Sequence, residues 1–192
     1  MPNIIFGADI ARFGEDSSVI AIREDNRVLP LIIYNKLDTM AIANTIGIHA
    51  DEYQPSSIFV DVIGVGSGVV DRLAQVGYPV VGVNVAEKSH FPEKFTNLKS
   101  ELWWNLRIQL NPKYNNPIKI PDDKLLFDEL RRTSYIYDEK GRLRIEKKDK
   151  IKKMLGRSPD RADAVVLAAI NSVGESGKGS DVGLKSNMEL PW

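Results

Sequence analysis

The 192-residue sequence contains no cysteine and only two histidines, His49 and His90. The lack of cysteine excludes disulfides, thiolate catalysis, zinc fingers and iron–sulfur clusters, and two histidines argue against a multi-histidine metal site. No apolar run approaches the ~20 residues that a membrane-spanning helix needs, and the N-terminus lacks a basic leader. We therefore expect a cytoplasmic protein without a membrane segment.

An excess of one charge sign is also missing, because 26 Lys and Arg balance 26 Asp and Glu. Zero net charge argues against a uniformly basic nucleic-acid-binding protein. The distribution is uneven, however: residues 140–161 hold ten basic and three acidic residues, a net charge of +7, so the rest carries −7. This pattern favours a sequence-independent grip on a nucleic-acid backbone over a merely solvated surface. The candidate contacts are Arg142, Arg144, Lys147, Lys148, Lys150, Lys152, Lys153, Arg157 and Arg161.

The order of predicted elements indicates an α/β fold. Apolar runs at 4–10, 17–23 and 27–34 predict a three-strand antiparallel meander, with Pro30 marking an edge or a bulge. Strand–helix–strand units follow and imply parallel strands joined by right-handed crossovers. The further predicted elements are helix 39–52 capped by Asp38, strand 57–62, helix 67–76, strand 80–85, helices 96–110 and 121–132, hairpin 134–146, basic segment 147–157 and helix 160–173. A mixed sheet with helices on both faces results, which is the element order of the ribonuclease H fold.

Three carboxylates stand in apolar surroundings. Asp9 ends the first strand, Asp61 lies in a strand that is apolar on both sides, and Asp163 lies at the start of the last helix. Singly, Asp9 or Asp61 could end a strand, and Asp163 could be an ordinary acid of a first helical turn. Burying three ionised carboxylates together would cost much free energy without a compensating positive charge. A site whose ligands are all oxygen atoms suits Mg²⁺ or Mn²⁺.

Each of the three acids lies in a longer motif. The first is Gly7-Ala8-Asp9-Ile10-Ala11-Arg12-Phe13-Gly14-Glu15-Asp16-Ser17-Ser18, the second is Phe59-Val60-Asp61 with Gly64-Val65-Gly66, and the third is Arg157-Ser158-Pro159-Asp160-Arg161-Ala162-Asp163-Ala164. These segments resemble the nuclease motifs of the large terminase subunits of tailed bacteriophages. The resemblance runs from about residue 4 to residue 173, with the motifs in the family's order. It implies a ribonuclease H-like nuclease domain at 1–173, followed by a flexible tail at 174–192.

The resemblance also implies a function. The family cuts concatemeric double-stranded viral DNA during genome packaging, by two-metal phosphodiester hydrolysis. By similarity, Asp9 would bridge two Mg²⁺ or Mn²⁺ ions, with Asp61 and Asp163 as flanking ligands. Asp160 stands where some relatives have histidine, and it either ligates an ion or caps the helix.

The resemblance further implies a setting and partners for the chain. The family works in the cytoplasm of the infected host, where it docks on a portal ring and a small terminase subunit. No Walker A loop occurs in the sequence. The chain is therefore expected to be an isolated, monomeric nuclease domain without the packaging ATPase.

Three other functions compete with this interpretation. Gly64, Gly66 and Gly68 after a strand, with Glu87 further on, resemble a dinucleotide-binding fingerprint, but Val69 stands where its last glycine belongs. An actin-like ATPase also begins with an acidic strand and a glycine turn, but would need further phosphate loops. A non-catalytic DNA-binding module would leave the three acids unexplained.

Overall fold

The computed structural model describes residues 1–11 and 17–171. Within them the chain forms eight strands and six helices. The strands are Ile4–Asp9 (β1), Ser18–Glu24 (β2), Arg27–Val28 (β3), Ile32–Tyr34 (β4), Ser57–Asp61 (β5), Val80–Val83 (β6), Tyr135–Tyr137 (β7) and Leu143–Ile145 (β8). The helices are Thr39–Tyr53 (α1), Gly66–Val76 (α2), Leu98–Gln109 (α3), Lys124–Arg132 (α4), Lys148–Leu155 (α5) and Asp160–Ala168 (α6).

The central sheet mixes antiparallel and parallel strands. Its order is β3-β2-β1-β5-β6, and β4 also pairs with β2. Strand β1 is antiparallel to β2 and parallel to β5, and β5 is parallel to β6. The predicted mixed sheet is thus confirmed. The antiparallel opening does not fit the all-parallel sheet that the dinucleotide-binding alternative requires.

The third predicted strand differs from the structure. In place of one run over 27–34, two short strands flank Pro30, and both pair with β2. Proline has no N–H to donate to a neighbouring strand, so continuous pairing stops there. The hairpin forms as predicted and stands apart as a separate two-stranded sheet of β7 and β8.

Helices cover both faces of the sheet because successive side chains of a strand point to opposite sides. On one face, Ile5 and Phe59 belong to a buried core shared with α3, α4 and α6. On the other face, Phe6 and Ile58 pack with α1 and α2. The edge between these two cores carries the residues of the candidate site.

Helix α6 lies unusually close to the backbone of β1. A Cβ atom placed on Gly7 would stand 2.2 Å from the Ala168 nitrogen and 2.3 Å from the Ala164 oxygen. No residue with a side chain fits at such a distance, so only glycine allows this approach. The close contact holds the first turn of α6 beside the end of β1.

Helix α6 and strand β6 end earlier than the sequence predicts: α6 ends at Ala168 instead of residue 173, and β6 ends at Val83 instead of residue 85. Asp38 caps α1 as expected, through a 2.7 Å bond from the Ala41 N–H to its carboxylate. Part of the basic segment forms helix α5 around the buried Ile151. The predicted tail, 174–192, lies outside the described residues. Within the described part of the chain, no helix is long and apolar enough to cross a membrane.

Candidate metal centre

The sheet brings Asp9 and Asp61 to the same edge. Ala8 of β1 pairs with Val60 of the parallel strand β5, so the next residue of each strand, Asp9 and Asp61, comes at the carboxyl ends of both. Asp9 is only 8% exposed. Asp61 is half-buried and accepts a 2.9 Å hydrogen bond from the Ile63 N–H.

Helix α6 supplies two further carboxylates, one helical turn apart. Asp160 is buried, and its Oδ2 accepts a 3.0 Å hydrogen bond from the Ser17 N–H, next to β2. Asp163 lies one turn further along and faces the end of β1. The packing of α6 against Gly7 is what brings these two acids to the sheet edge. All four predicted acids therefore gather in one region, which we call the acid cluster: Asp9, Asp61, Asp160 and Asp163.

A lysine from α5 lies among three members of the acid cluster. Lys148 Nζ is 3.6 Å from Asp9 Oδ2, 3.6 Å from Asp160 Oδ1 and 3.3 Å from Asp163 Oδ2. The sequence placed Lys148 among the DNA-contacting residues, whereas here it neutralises carboxylates. In this arrangement, no three acidic or histidine side chains of residues 1–11 and 17–171 converge on a single ion position.

Two residues that the sequence interpretation did not assign to the site reach it from α3. Lys99 Nζ lies 3.3 Å from Asp163 Oδ1, and the Trp103 indole N–H donates to the same oxygen at 3.2 Å. The two residues are four apart and share a helix face. Asp61, Lys99, Trp103 and Asp163 together line a small cleft. The i, i+4 spacing was readable from the sequence, but nothing local indicated that this face would meet α6.

Burial and mutual repulsion set the charges in the acid cluster. Burial raises the pKa of Asp9 to about 8, Lys148 opposes this rise, and the other three carboxylates add to it. Burial likewise raises the pKa of Asp61. For Asp163, burial opposes ionisation, but Lys99 and Lys148 outweigh it and lower the pKa. Burial lowers the pKa of Lys148 in turn, and the carboxylates around it outweigh burial and raise it.

The donor atoms of the acid cluster suit divalent cations, although the described side chains do not converge on one ion position in this arrangement. Its donors are all carboxylate oxygens, the ligands that Mg²⁺ and Mn²⁺ prefer. The four carboxylates face two lysines, Lys148 and Lys99, and burial keeps Asp9 protonated well above its ordinary range. Bound cations would offset the cost of ionising these buried carboxylates better than the two ammonium groups do.

Two of the predicted DNA-contacting arginines have partners inside the protein. Arg157 Nη2 lies 3.2 Å from Glu129 Oε1, and Arg161 Nε lies 3.1 Å from Asp123 Oδ2. Glu129 also accepts a 2.9 Å hydrogen bond from the Ala162 N–H in the first turn of α6. These contacts hold α4 against α6, and a DNA contact by either arginine would compete with them.

The remaining basic residues surround the hairpin and α5. Arg142 pairs with Asp138 at 2.8 Å, and Lys150 pairs with Glu146. Arg144, Lys147 and Lys153 are exposed, and Lys152 is half-buried. Their predicted role in DNA binding stays a prediction.

The raised pKa of Asp9 predicts how the stability of the metal-free protein depends on pH. In the unfolded chain Asp9 ionises near its ordinary pKa of 3.8, whereas in the folded chain it keeps its proton up to about pH 8. Between these values the folded state binds the additional proton. Stability is therefore greatest at the acidic end of this window and falls as pH rises, by at most about 1.4 kcal/mol per pH unit from this group. Chemical denaturation in a chelator at several pH values measures this slope.

The Asp9→Asn variant should flatten that slope, because asparagine does not titrate. A smaller slope should remain, since burial also raises the pKa of Asp61 and raises that of Glu129 to about 7. Asp71→Asn, on the exposed face of α2, is the matched control and should follow the unmodified protein. Equal slopes for Asp9→Asn and Asp71→Asn would show that Asp9 does not hold its proton in the folded state.

Comparisons with protein-family models and with curated protein sequences give no match. Solved structures do match. One is a variant nuclease domain of the large terminase subunit of bacterial virus Sf6 with manganese and beta-thujaplicinol. It has 18% identity and a TM-score of 0.77, covering 88% of each chain. Another is the large terminase nuclease of thermophilic phage G20c with bound magnesium, with 20% identity and a TM-score of 0.64, covering 88% of this chain and 79% of that one.

At these identities the likeness concerns the fold. It extends over almost all of the described residues and agrees with the mixed sheet, its strand order and the helices on both faces. The chain therefore has the ribonuclease H-like fold of the nuclease domains of phage large terminase subunits.

Proposed function

We propose that the chain is a metal-dependent endodeoxyribonuclease that cleaves concatemeric double-stranded viral DNA during genome packaging. The observation that carries the proposal is the acid cluster, in which four carboxylates from β1, β5 and α6 gather at one sheet edge, three of them around the Lys148 ammonium group. A cluster of that kind costs stability, and it is retained where the carboxylates serve a bound cation. The fold shared with terminase nucleases supports the same conclusion.

In this proposal Asp9, Asp61 and Asp163 hold two Mg²⁺ or Mn²⁺ ions. The related structures with manganese, calcium, magnesium, cobalt or zinc support a divalent cation. Two such ions, ~4 Å apart, would activate the attacking water and stabilise the leaving oxygen of a phosphodiester. Asp160 is the candidate fourth ligand, since its carboxylate faces Lys148 together with Asp9 and Asp163.

Lys148 has two roles in the proposal. In the metal-free protein it balances the charge of the carboxylates, within 3.6 Å of three of them. When cations take over that task, its ammonium group is free to bind a phosphate of the DNA. This assignment keeps Lys148 on the path of the DNA, as the sequence predicts, but places it at the cut rather than on a remote surface.

The DNA is held by the basic residues around the site. Among the basic residues of 140–161, Arg144, Lys147 and Lys153 of the hairpin and α5 are exposed. Contacts of this kind bind the phosphate backbone without reading its sequence and weaken as salt rises. We therefore propose double-stranded DNA as the substrate, without sequence preference at the cut.

The biological setting follows from the same proposal. The chain would act in the cytoplasm of an infected host cell as the nuclease unit of a large terminase subunit. An ATPase unit, a portal ring and a small terminase subunit would be its partners in packaging. By itself the nuclease domain, residues 1–173, is proposed to be a monomer.

Digestion of supercoiled plasmid tests the proposal. The purified protein should convert plasmid to nicked and linear forms in Mg²⁺ or Mn²⁺, and a chelator should stop the reaction. The melting temperature in the presence of a nucleotide is measured in parallel. A nucleotide-induced rise without metal-dependent nicking would favour the actin-like ATPase. DNA binding that neither responds to metal nor leads to cleavage would favour a passive binding module.

A further inference from the structure

The two oxygens of Asp163 have different partners. Oδ1 accepts the Trp103 indole N–H at 3.2 Å and lies 3.3 Å from Lys99 Nζ, both on α3. Oδ2 lies 3.3 Å from Lys148 Nζ, on the side of Asp9 and Asp160. One oxygen is thus held by α3, and the other is turned to the centre of the acid cluster.

Trp103 cannot easily turn away from this contact. Its side chain is 6% exposed and belongs to the core between the sheet and α6, together with Phe59 and Leu106. A buried indole N–H needs an acceptor, and Asp163 Oδ1 is the partner that it reaches. A rigid, neutral donor of this kind fixes the orientation of a carboxylate more strictly than a flexible lysine does.

The neighbouring Trp104 lies in different surroundings and is a natural control. It is equally buried, but it packs with Phe95 and Leu143 and stands edge-on to Tyr135, with the ring centroids 5.4 Å apart. Both tryptophans are buried, because α3 is enclosed on one side by α6 and on the other by the hairpin.

We propose that Trp103 is a positioning residue for the metal centre. By binding Oδ1 of Asp163, it leaves Oδ2 directed at the ions that the proposed nuclease function requires. This role rests on the proposed nuclease function, because it presupposes a metal site. Metal binding can nevertheless be measured without any cleavage. A donor that orients a metal-binding carboxylate is typically worth 10- to 100-fold in metal affinity or activity.

The test compares Trp103→Phe with Trp104→Phe by calorimetric titration with Mn²⁺ in the absence of DNA. Both changes remove similar bulk from the same helix, and only the first removes a hydrogen bond to Asp163. Trp103→Phe should weaken Mn²⁺ binding about 10-fold. Trp104→Phe should bind as the unmodified protein does. Equal affinities for the two variants would overturn the proposal.

A second measurement uses the unmodified protein and therefore does not depend on the stability of a variant. In the unmodified protein, the NMR signal of the Trp103 indole N–H should shift on addition of Mg²⁺, and that of Trp104 should stay nearly constant. A Trp103 signal that ignores Mg²⁺ while calorimetry detects binding would contradict the inference. Plasmid cleavage is measured separately. If Mn²⁺ binding depends on Trp103 but the protein does not cleave DNA, the nuclease function is refuted and the positioning role of Trp103 stands.

Discussion

Asp9→Asn should reduce metal-dependent plasmid cleavage by roughly 1,000-fold or more, because cations contribute several kcal/mol to stabilising the charge of the transition state. Asparagine keeps the shape of the side chain but cannot supply the carboxylate that, in the proposed function, holds the ions. Asp61→Asn and Asp163→Asn should have effects of similar size. Cleavage rates at saturating Mn²⁺ give the comparison.

The control for these variants is Asp71→Asn, since Asp71 is exposed on α2, away from the acid cluster. It should cleave at the rate of the unmodified protein. The melting temperature in a chelator distinguishes a loss of catalysis from a loss of folding. Asp9→Asn should melt no lower than the unmodified protein, because burial disfavours the ionised carboxylate that the substitution removes. Full cleavage by Asp9→Asn, Asp61→Asn and Asp163→Asn would refute the proposed site.

Asp160→Asn tests whether Asp160 is an ion ligand. The alternative role from the sequence, capping of α6, does not fit the structure, because Pro159 occupies the N-cap position. If Asp160 is an ion ligand, the variant should lose cleavage as severely as Asp163→Asn does. If its role is to accept the Ser17 N–H hydrogen bond and to pair with Lys148, the cleavage rate should fall by less than tenfold. A factor of that size corresponds to the free energy of about one hydrogen bond. The ratio of the two rates is the measurement.

Gly7→Ala should destabilise the fold strongly, because α6 leaves no room for a Cβ atom at this position of β1. The added Cβ atom would stand 2.2 Å from the Ala168 nitrogen and 2.3 Å from the Ala164 oxygen, which are backbone atoms that cannot rotate away. Relief requires α6 to leave β1, and with it the core that both share. A loss of about 4 kcal/mol or more is expected, a large part of the stability of an ordinary domain.

Gly68→Ala is the matched control. Gly68 lies in α2, and the nearest atom to an added Cβ is Thr39 Cγ2 at 3.3 Å, the end of a side chain that can yield slightly. Alanine is favoured over glycine in a helix by roughly 0.5–1 kcal/mol, so this variant should be as stable as the unmodified protein or slightly more so. Urea denaturation measures both variants. If Gly7→Ala were as stable as Gly68→Ala, α6 could not lie where the structure has it.

The acids of the candidate site could be predicted because their signals are local. Asp9 and Asp61 interrupt apolar strands, and Asp163 opens a helix of small residues, so each stands out within a few positions of the sequence. Their meeting at one edge followed from the element order. Parallel strands present their carboxyl ends on the same side, and the structure has Asp9 and Asp61 there.

The groups that surround these acids could not be predicted in the same way. Lys148 looked like one member of a basic run, since its contact with Asp9 depends on how α5 packs across a separation of more than a hundred residues. Trp103 and Lys99 depend on how α3 meets α6. A weak signal did exist for α5, because Lys148, Ile151 and Leu155 recur at helical spacing, with Ile151 buried.

Lys148 gives the acid cluster a counter-charge that belongs to the chain itself. In proteins whose charged ligands are balanced by bound metal alone, folding has to wait for the metal. If the chain is the nuclease proposed above, the two events are separable in time: the carboxylates take their positions during folding, balanced by Lys148, and cations are required only for cleavage. Such a nuclease would be folded but inactive until cations and DNA are both present.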